Sequence, residues 1–390
     1  MSKRHVFGDF HIHIGRTEAG QAVKITGARN LTFTNTMIEA SDNKGMDFIG
    51  IIDAASPGVQ QEIADLLERR MVEELSEGGL RYERTTILLG CELEVRPNRF
   101  GALHLLCYFP HFCDIRHFTQ FLSQHMKNTM LSTQRFHGEL MELFDCVEQL
   151  HGLIIPAHVF TPFKSLYGSC TDQLADVLPP DRIAAVELGL SADTFMADQL
   201  TELHRYPFLT NSDAHSLPKI GREYNKLYVN SVSFKGWREA LNTEAGANVV
   251  ANYGLNPRLG KYYRTFCKQC EKHLPGSILV CPNCGSRSIV SGVRDRIAEI
   301  ASKQTSHKSR PGRPPYIYQI PLEFIPGVGP RVLQKLLGHF GTEMNILHRA
   351  TEEQLAEVVG ETLAHNIVRA RNSELPIEDG GGGIYGRIKR

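Results

Sequence analysis

The chain has no excess of charge: 43 Lys and Arg stand against 43 Asp and Glu over 390 residues. It has no run approaching 18 apolar residues, which excludes a membrane-spanning helix. The opening residues, MSKRHVFGDF, contain no apolar stretch of the kind a secretory leader needs. Nine cysteines, an odd number and partly scattered, do not make a disulfide framework and point to a reducing compartment, so a cytoplasmic protein is expected. With 42% hydrophobic residues the composition also excludes a disordered or collagen-like chain. What is there is globular, and the length suggests two or three domains.

The zero is a sum of opposites. Residues 1–257 hold 23 basic and 31 acidic side chains, whereas 258–390 hold 20 and 12. The segment 258–321 alone carries 12 Lys and Arg against Glu271, Asp295 and Glu299. Such a basic stretch predicts a polyanionic partner, and nucleic acid before membrane because no amphipathic basic helix accompanies it.

Up to about residue 230, short apolar runs alternate with longer amphipathic stretches. The runs are His5–Ile14, Met46–Asp53, Thr86–Val95, Ala102–Phe109, Leu153–His158, Ala184–Leu190, Pro207–Ser212 and Asn225–Val229. This pattern predicts a parallel α/β layout, and eight runs favour a barrel over an open sheet. Helices are expected within Phe118–Leu150 and over Thr34–Lys44, with Thr34 or Asn35 as cap. We divide the chain into a barrel (1–256), a cysteine-bearing module (257–300), a basic Pro/Ser linker (301–321), a helical module (322–378) and a Gly-rich mobile tail (379–390).

In the first run, Gly8-Asp9-Phe10-His11-Ile12-His13, a side-chain period of two puts Asp9, His11 and His13 on one face and Phe10, Ile12 and Ile14 on the other. Later runs also end in ligand-type residues: Asp53, Glu92, His104, His158, Glu187, and Asp213 with His215. Repeated acids and histidines at strand ends describe a barrel mouth. Imidazole and carboxylate together suit Zn²⁺, Mn²⁺ or Fe²⁺, and the number of ligands implies more than one ion.

The segments DFHIHI, GCELEV, LHLL, PAHVFTPFKSLYGS, AVELGLSADT and NSDAHS, in this order over residues 4–230, resemble the motifs of the polymerase-and-histidinol-phosphatase (PHP) superfamily. PAH-x-x-TP together with SDAHS-x-x-KIGRE resembles its endonuclease Q branch. The resemblance implies a distorted PHP-type (β/α) barrel with two or three divalent cations (Zn²⁺, with Mg²⁺ or Mn²⁺ also suitable). By motif, His11, His13, Glu92, His104, His158, Asp213 and His215 would bind metal, with Asp213 also orienting or deprotonating the attacking water. Asp9, Asp53 and Glu187 are left between direct ligands and supporting groups. Most PHP proteins have Asp-His where this chain has Asp53-Ala54, so one familiar ligand is missing.

Cys267-x2-Cys270-x10-Cys281-x2-Cys284 has the spacing of a four-thiolate structural zinc ribbon. Residues 322–341 read as a short helix, a tight Gly327-Val328-Gly329 hairpin and a second helix, resembling the helix–hairpin–helix of DNA repair proteins. Its backbone amides would meet a phosphate, helped by Arg331 and Lys335. The stretch around Gly360 looks like a second, degenerate copy. In the loop after His158, Lys164 can meet a phosphate and Phe163 or Tyr167 can stack on an everted base, though plain packing explains each as well. Trp237 is expected in the core, and Glu73, Glu74 and Glu77 on a solvated helix face.

Taken together, the modules predict a DNA repair endonuclease acting on damaged DNA. The resemblance implies cleavage 5′ to uracil, hypoxanthine, xanthine or an abasic site, leaving 3′-hydroxyl and 5′-phosphate ends. A PHP phosphatase or exonuclease and a non-catalytic, metal-stabilised DNA-binding scaffold remain as alternatives. A monomer is expected, no membrane association is expected, and no peptide for a sliding clamp stands out.

Overall fold

The computed structural model describes residues 3–304 and 310–388. Part of the predicted basic linker, residues 305–309, and the last two residues of the predicted tail lie outside the described residues.

All eight predicted runs contain strands. Arg4–Ile12 pairs in parallel with Phe48–Ile51, which pairs in parallel with Thr85–Val95. Thr85–Val95 then pairs antiparallel with Leu103–Phe109, and that strand antiparallel with Leu153–Pro156. The amide of Ala184 bonds the Ile154 carbonyl beside the parallel pair Val186–Glu187 and Phe208–Leu209. A bridge between Ala214 and Ile12 returns the path to the first strand. The result is a closed, distorted barrel. Its layout is mixed where uniform parallel pairing was predicted, because residues 96–102 are too few for a parallel crossover and turn the chain straight back. Tyr224–Val229 and Asn248–Gly254 extend the sheet antiparallel beyond the first strand.

The alternation expected for the first strand breaks at Phe10. Pairing with Phe48–Ile51 shifts register between Asp9 and Ile12, and a register shift re-aims side chains. Phe10 therefore joins Leu88, Leu106, Ile155, Leu209 and Trp237 in the apolar filling of the barrel, whereas Ile12 and Ile14 pack in the outer core beneath the helices. Following the strand period upward from that filling, Leu88 leads to Glu92, Leu106 to His104, Ala185 to Glu187 and Leu209 to Asp213. A polar layer is thus stacked on an apolar one.

Helices Phe112–His125 and Leu140–Gln149 occupy the region expected to hold two. The helix Phe33–Ile38 is capped by Thr32, whose side chain accepts from the Asn35 amide, not by Thr34 or Asn35. Glu73–Glu74 forms an exposed strand and Glu77 lies in the turn after it, bonded to Lys235; the solvated helix face expected there is absent because Leu80–Tyr82 pairs back on this segment. Trp237 is fully buried.

The C-terminal third is tied to the barrel more closely than separate modules would be. Helix Val293–Ser302 packs in the outer core, and Arg296 donates to the Tyr167 carbonyl. In the predicted linker, Tyr316–Tyr318 adds a parallel strand beside Asn248–Gly254. Arg313 there lies 3.6 Å over the Phe208 ring and 2.7 Å from Asp198, so its charge is spent inside the protein. The predicted mobile tail instead forms a hairpin, Ile377–Glu378 against Arg387–Ile388.

The helical module comprises Pro330–Phe340, Glu343–His348, Glu352–Val359 and Glu361–Arg371. It is fastened by a buried Lys44–Glu343 ion pair at 2.7 Å and by His348, stacked 4.4 Å from Phe7 with its Nε2 2.7 Å from the Tyr224 hydroxyl. Glu343→Ala should cost about 3 kcal/mol by stranding the Lys44 charge, while the double substitution Lys44→Met/Glu343→Leu should recover most of it; chemical unfolding of the three proteins checks this.

Candidate metal centre

Glu92 stands at the middle of the polar layer. Its Oε1 lies 2.9 Å from His104 Nδ1, 3.4 Å from His158 Nε2 and 3.7 Å from His11 Nε2. Its Oε2 lies 3.6 Å from His13 Nε2 and 3.1 Å from Lys24 Nζ. Asp213 Oδ1 is 3.5 Å from both His11 Nε2 and His13 Nε2. Two donors bound at about 2.1 Å to one tetrahedral ion lie about 3.4 Å apart, so these separations suit shared cations. Three groupings emerge: His11, His13 and Glu92; Glu92, His104 and His158; and His13, Asp213 and His215.

His11 Nε2 is buried with no hydrogen-bond partner although it faces two carboxylates, as a nitrogen awaiting a cation would be. Burial alone would lower the His11 pKa, but Glu187, Asp213 and Glu92 outweigh it and push it up to about 10. Burial likewise raises the Glu92 carboxyl, yet His104 and Lys24 hold it well below the usual carboxylate range. The centre is therefore an array of ionised carboxylates that demands positive charge, and these residues fit divalent ions.

The structure separates the three residues left undecided by sequence. Asp53 lies 3.1 Å from His13 Nδ1 and accepts from Ser132 and the Ile14 amide. Glu187 lies 3.0 Å from His11 Nδ1 and accepts from the His158 amide. Both face the Nδ1 atoms of histidines whose Nε2 atoms point to the centre, the arrangement of carboxylates that orient a histidine from behind. Asp9, below them, accepts from the amides of Ser212 and Gly221 and ties the first strand to the Asp213 loop. His158 and Asp213 both sit at positive φ, 30° and 46°, where a non-glycine residue is strained, a common feature of functional positions.

The loop after His158 departs from expectation. Tyr167 is fully buried, stacked on Phe160 and donating to Glu202, so it has no face left for a base. Lys164 is paired with Glu94 at 2.7 Å, while Phe163 is half exposed with its ring edge-on to Tyr262. Sequence reasoning overlooked Lys24, Lys219, Arg222, Lys261, Tyr262 and Tyr385. All but Lys24 line a cleft of about 520 Å³ that opens onto His158, Asp213 and His215. Arg222 was legible in the KIGRE segment, but nothing in the sequence marked Tyr385.

In the cysteine module, Cys267 Sγ lies 3.7 Å from Cys284 Sγ and Cys270 Sγ 3.6 Å from Cys281 Sγ. Four thiolates at about 2.3 Å from one tetrahedral zinc would be about 3.7 Å apart. Cys267 lies on the short strand Phe266–Cys267, which pairs with Lys272–His273 and Ile289–Val290, and the other three cysteines lie in the connecting segments. In the helical module, Gly327 has φ 96°, Val328 turns its side chain inward, and Arg331 is exposed at the first turn of Pro330–Phe340. Lys335 instead donates to the Val358 carbonyl, bracing the two hairpins.

Asp53→Asn and Glu187→Gln should each weaken barrel metal affinity about 10- to 100-fold while leaving ribbon zinc in place, as read by competition titration with a metal indicator and by metal content.

Comparison with known proteins agrees with this geometry. Residues 320–372 match the family described as SAM-like helix-hairpin-helix tandem. The chain is 48% identical over 388 residues to the uncharacterized protein YqxK of Bacillus subtilis, covering 99% of this chain and 100% of that one. It matches the crystal structure of the lesion-specific endonuclease PfuEndoQ from Pyrococcus furiosus with a TM-score of 0.84 and 33% identity, over 99% of this chain and 95% of that one. A structure of endonuclease Q with a 27-mer duplex carrying an abasic lesion at its active site matches with a TM-score of 0.84 and 32% identity, over 99% and 96%. Among the described residues no helix is long and apolar enough to cross a membrane. Full-length likeness, the stacked His and acid layer and the tandem hairpins converge: the chain belongs to the endonuclease Q family of metal-dependent DNA endonucleases.

Proposed function

We propose that the protein incises DNA at the phosphodiester 5′ to a deaminated base or an abasic site, leaving 3′-hydroxyl and 5′-phosphate ends. The observation that carries the reading is the end-to-end likeness to an endonuclease Q solved with an abasic duplex, joined to a chain-specific metal layer beside an open cleft.

In this reading His11, His13 and Glu92 would hold one cation, Glu92, His104 and His158 a second, and His13, Asp213 and His215 a third. When bound, such ions bring a coordinated water toward neutral pKa and offset the charge of a phosphodiester. The chain supplies the rest. Asp213, with a third of its side chain exposed to the cleft, orients the attacking water and receives its proton. Asp53 and Glu187 keep the His13 and His11 rings turned inward. The four cysteines hold a zinc that folds the ribbon. The hairpin Gly327–Gly329 would meet a phosphate through the amides of Gly327 and Gly329, the Val328 amide being bonded to the Ile325 carbonyl, and the N-terminus of Pro330–Phe340 favours the anion, with Arg331 beside it. Such contacts read backbone only, so lesion choice falls to the lower energy of everting a damaged or mispaired base. Phe163, exposed at the cleft side, is the remaining stacking candidate of its loop.

A labelled duplex with one deoxyuridine or abasic site, incubated with Mg²⁺ or Mn²⁺, should be nicked once on the 5′ side of the lesion. Resection from ends would instead indicate an exonuclease. Asp213→Asn should abolish incision and leave DNA affinity within about threefold; retained cutting would remove Asp213 from the chemistry. Arg331→Ala should weaken binding to damaged and undamaged duplex alike and lower the slope of log affinity against log salt by about one.

A further inference from the structure

The run Gly380–Gly383 reads as a flexible tail, but the structure uses it for close approach. A Cβ on Gly380 would lie 2.4 Å from the Gly260 carbonyl oxygen, and one on Gly382 would lie 2.4 Å from the Phe266 ring. Glycine alone lets the hairpin settle between the segment 258–261 and the first ribbon strand. Amides of Gly380, Gly383 and Gly386 bond the carbonyls of Arg258, Lys261 and Leu259 at 2.7, 3.1 and 2.9 Å. Arg258 adds an ion pair to Asp379 at 2.7 Å. The hairpin is therefore anchored along its length.

Its tip carries Tyr385 into the metal cleft. The Tyr385 hydroxyl accepts from Arg222 Nη1 at 2.9 Å, while Arg222 Nε donates to the Ser212 carbonyl at 2.8 Å. Lys261 Nζ sits 4.6 Å from the centre of the Tyr385 ring. Ser212 is the residue before Asp213. The guanidinium is thus held at two corners directly beside the proposed proton acceptor, has donors to spare, and lines a cleft that also holds Lys219 and Lys261. A planar, always-charged fork fixed in this way matches phosphate oxygens.

We propose that the C-terminal hairpin is a working part of the cleavage site: Tyr385 positions Arg222, and Arg222 contacts a non-bridging oxygen of the scissile phosphate. This rests on the reading of the cleft as the place of incision. The ribbon side acquires a second task, since Phe266 and the segment 258–261 form the seat of the hairpin.

The test is single-turnover cleavage of a deoxyuridine duplex at saturating enzyme by full-length wild type, Tyr385→Phe, Tyr385→Ala, Arg222→Ala and the double variant Arg222→Ala/Tyr385→Phe, with DNA affinity measured in parallel. Tyr385→Phe keeps the ring over Lys261 and removes only the hydroxyl. We expect it to slow cleavage about 10-fold and Arg222→Ala about 100-fold, each with affinity within about threefold of wild type. The double variant should be no slower than Arg222→Ala alone, because the hydroxyl acts through the guanidinium. The inference is overturned if Tyr385→Phe cuts at the wild-type rate, including the case in which only Tyr385→Ala is slow, or if the two losses multiply. An active Asp213→Asn would sink the cleft reading itself, and an inactive one beside a fully active Tyr385→Phe sinks only the role of the hairpin.

Discussion

The arrangement depends on one buried carboxylate. Glu92 is almost wholly removed from water and is surrounded by His11, His13, His104, His158 and Lys24 within 3.7 Å. An isolated buried carboxylate would be prohibitively unfavourable, so its ionisation requires the Lys24 charge and the polar ring nitrogens around it. Those histidines in turn come from three different barrel strands or strand ends and converge only because the apolar filling below them, with Trp237 among its members, sets the height at which each strand turns polar. Asp53 and Glu187 then fix ring orientation from behind. Lys24 reaches Glu92 in a chain that has Ala54 where the PHP pattern has histidine, so part of the positive charge at this centre is built into the polypeptide.

Much of this was legible in the sequence because strands impose a period of two. The eight apolar runs, the acids and histidines at their ends and the cysteine spacing follow from local pattern, whereas the choice of His11, His13, Glu92, His104, His158, Asp213 and His215 as a ligand set came from the resemblance. What failed was whatever depends on a partner remote in sequence. Asp9, Asp53 and Glu187 have the same residue types as ligands, and only the contacts with His11, His13 and the Ser212 amide set them apart. Tyr167 looked available until its stacking on Phe160 and full burial closed its face. The register shift at Phe10 and the return at residues 96–102 are decided by pairing geometry, which no run of apolar letters contains. Gly380–Gly383 misled most, since the absence of a Cβ serves mobility and close packing equally well.

The charge halves also take on a spatial meaning. The acidic excess of residues 1–257 gathers part of its carboxylates in the metal layer. The basic excess that follows is only partly free for DNA: Arg313, Arg296 and Arg258 are engaged with Asp198, Asp172 and Asp379. Lys261 instead borders the cleft beside Lys219 and Arg222 of the acidic half, and Lys219 also pairs with Glu323 at the entrance to the helical module. The helical module is fastened to the barrel by Lys44–Glu343 and His348. A duplex held by its backbone at Gly327–Gly329 would meet the cleft at a fixed spacing and not at the end of a loose tether.

The central claim is that Glu92 organises a cation centre distinct from the ribbon zinc. Anomalous X-ray scattering from crystals grown with Mn²⁺, recorded at the manganese and zinc edges, tests it most directly. The account predicts manganese or zinc density between Glu92 and the inner nitrogens of His11, His13, His104 and His158, together with zinc alone among Cys267, Cys270, Cys281 and Cys284. Density confined to the cysteines, with the Glu92 layer empty at saturating metal, would contradict it.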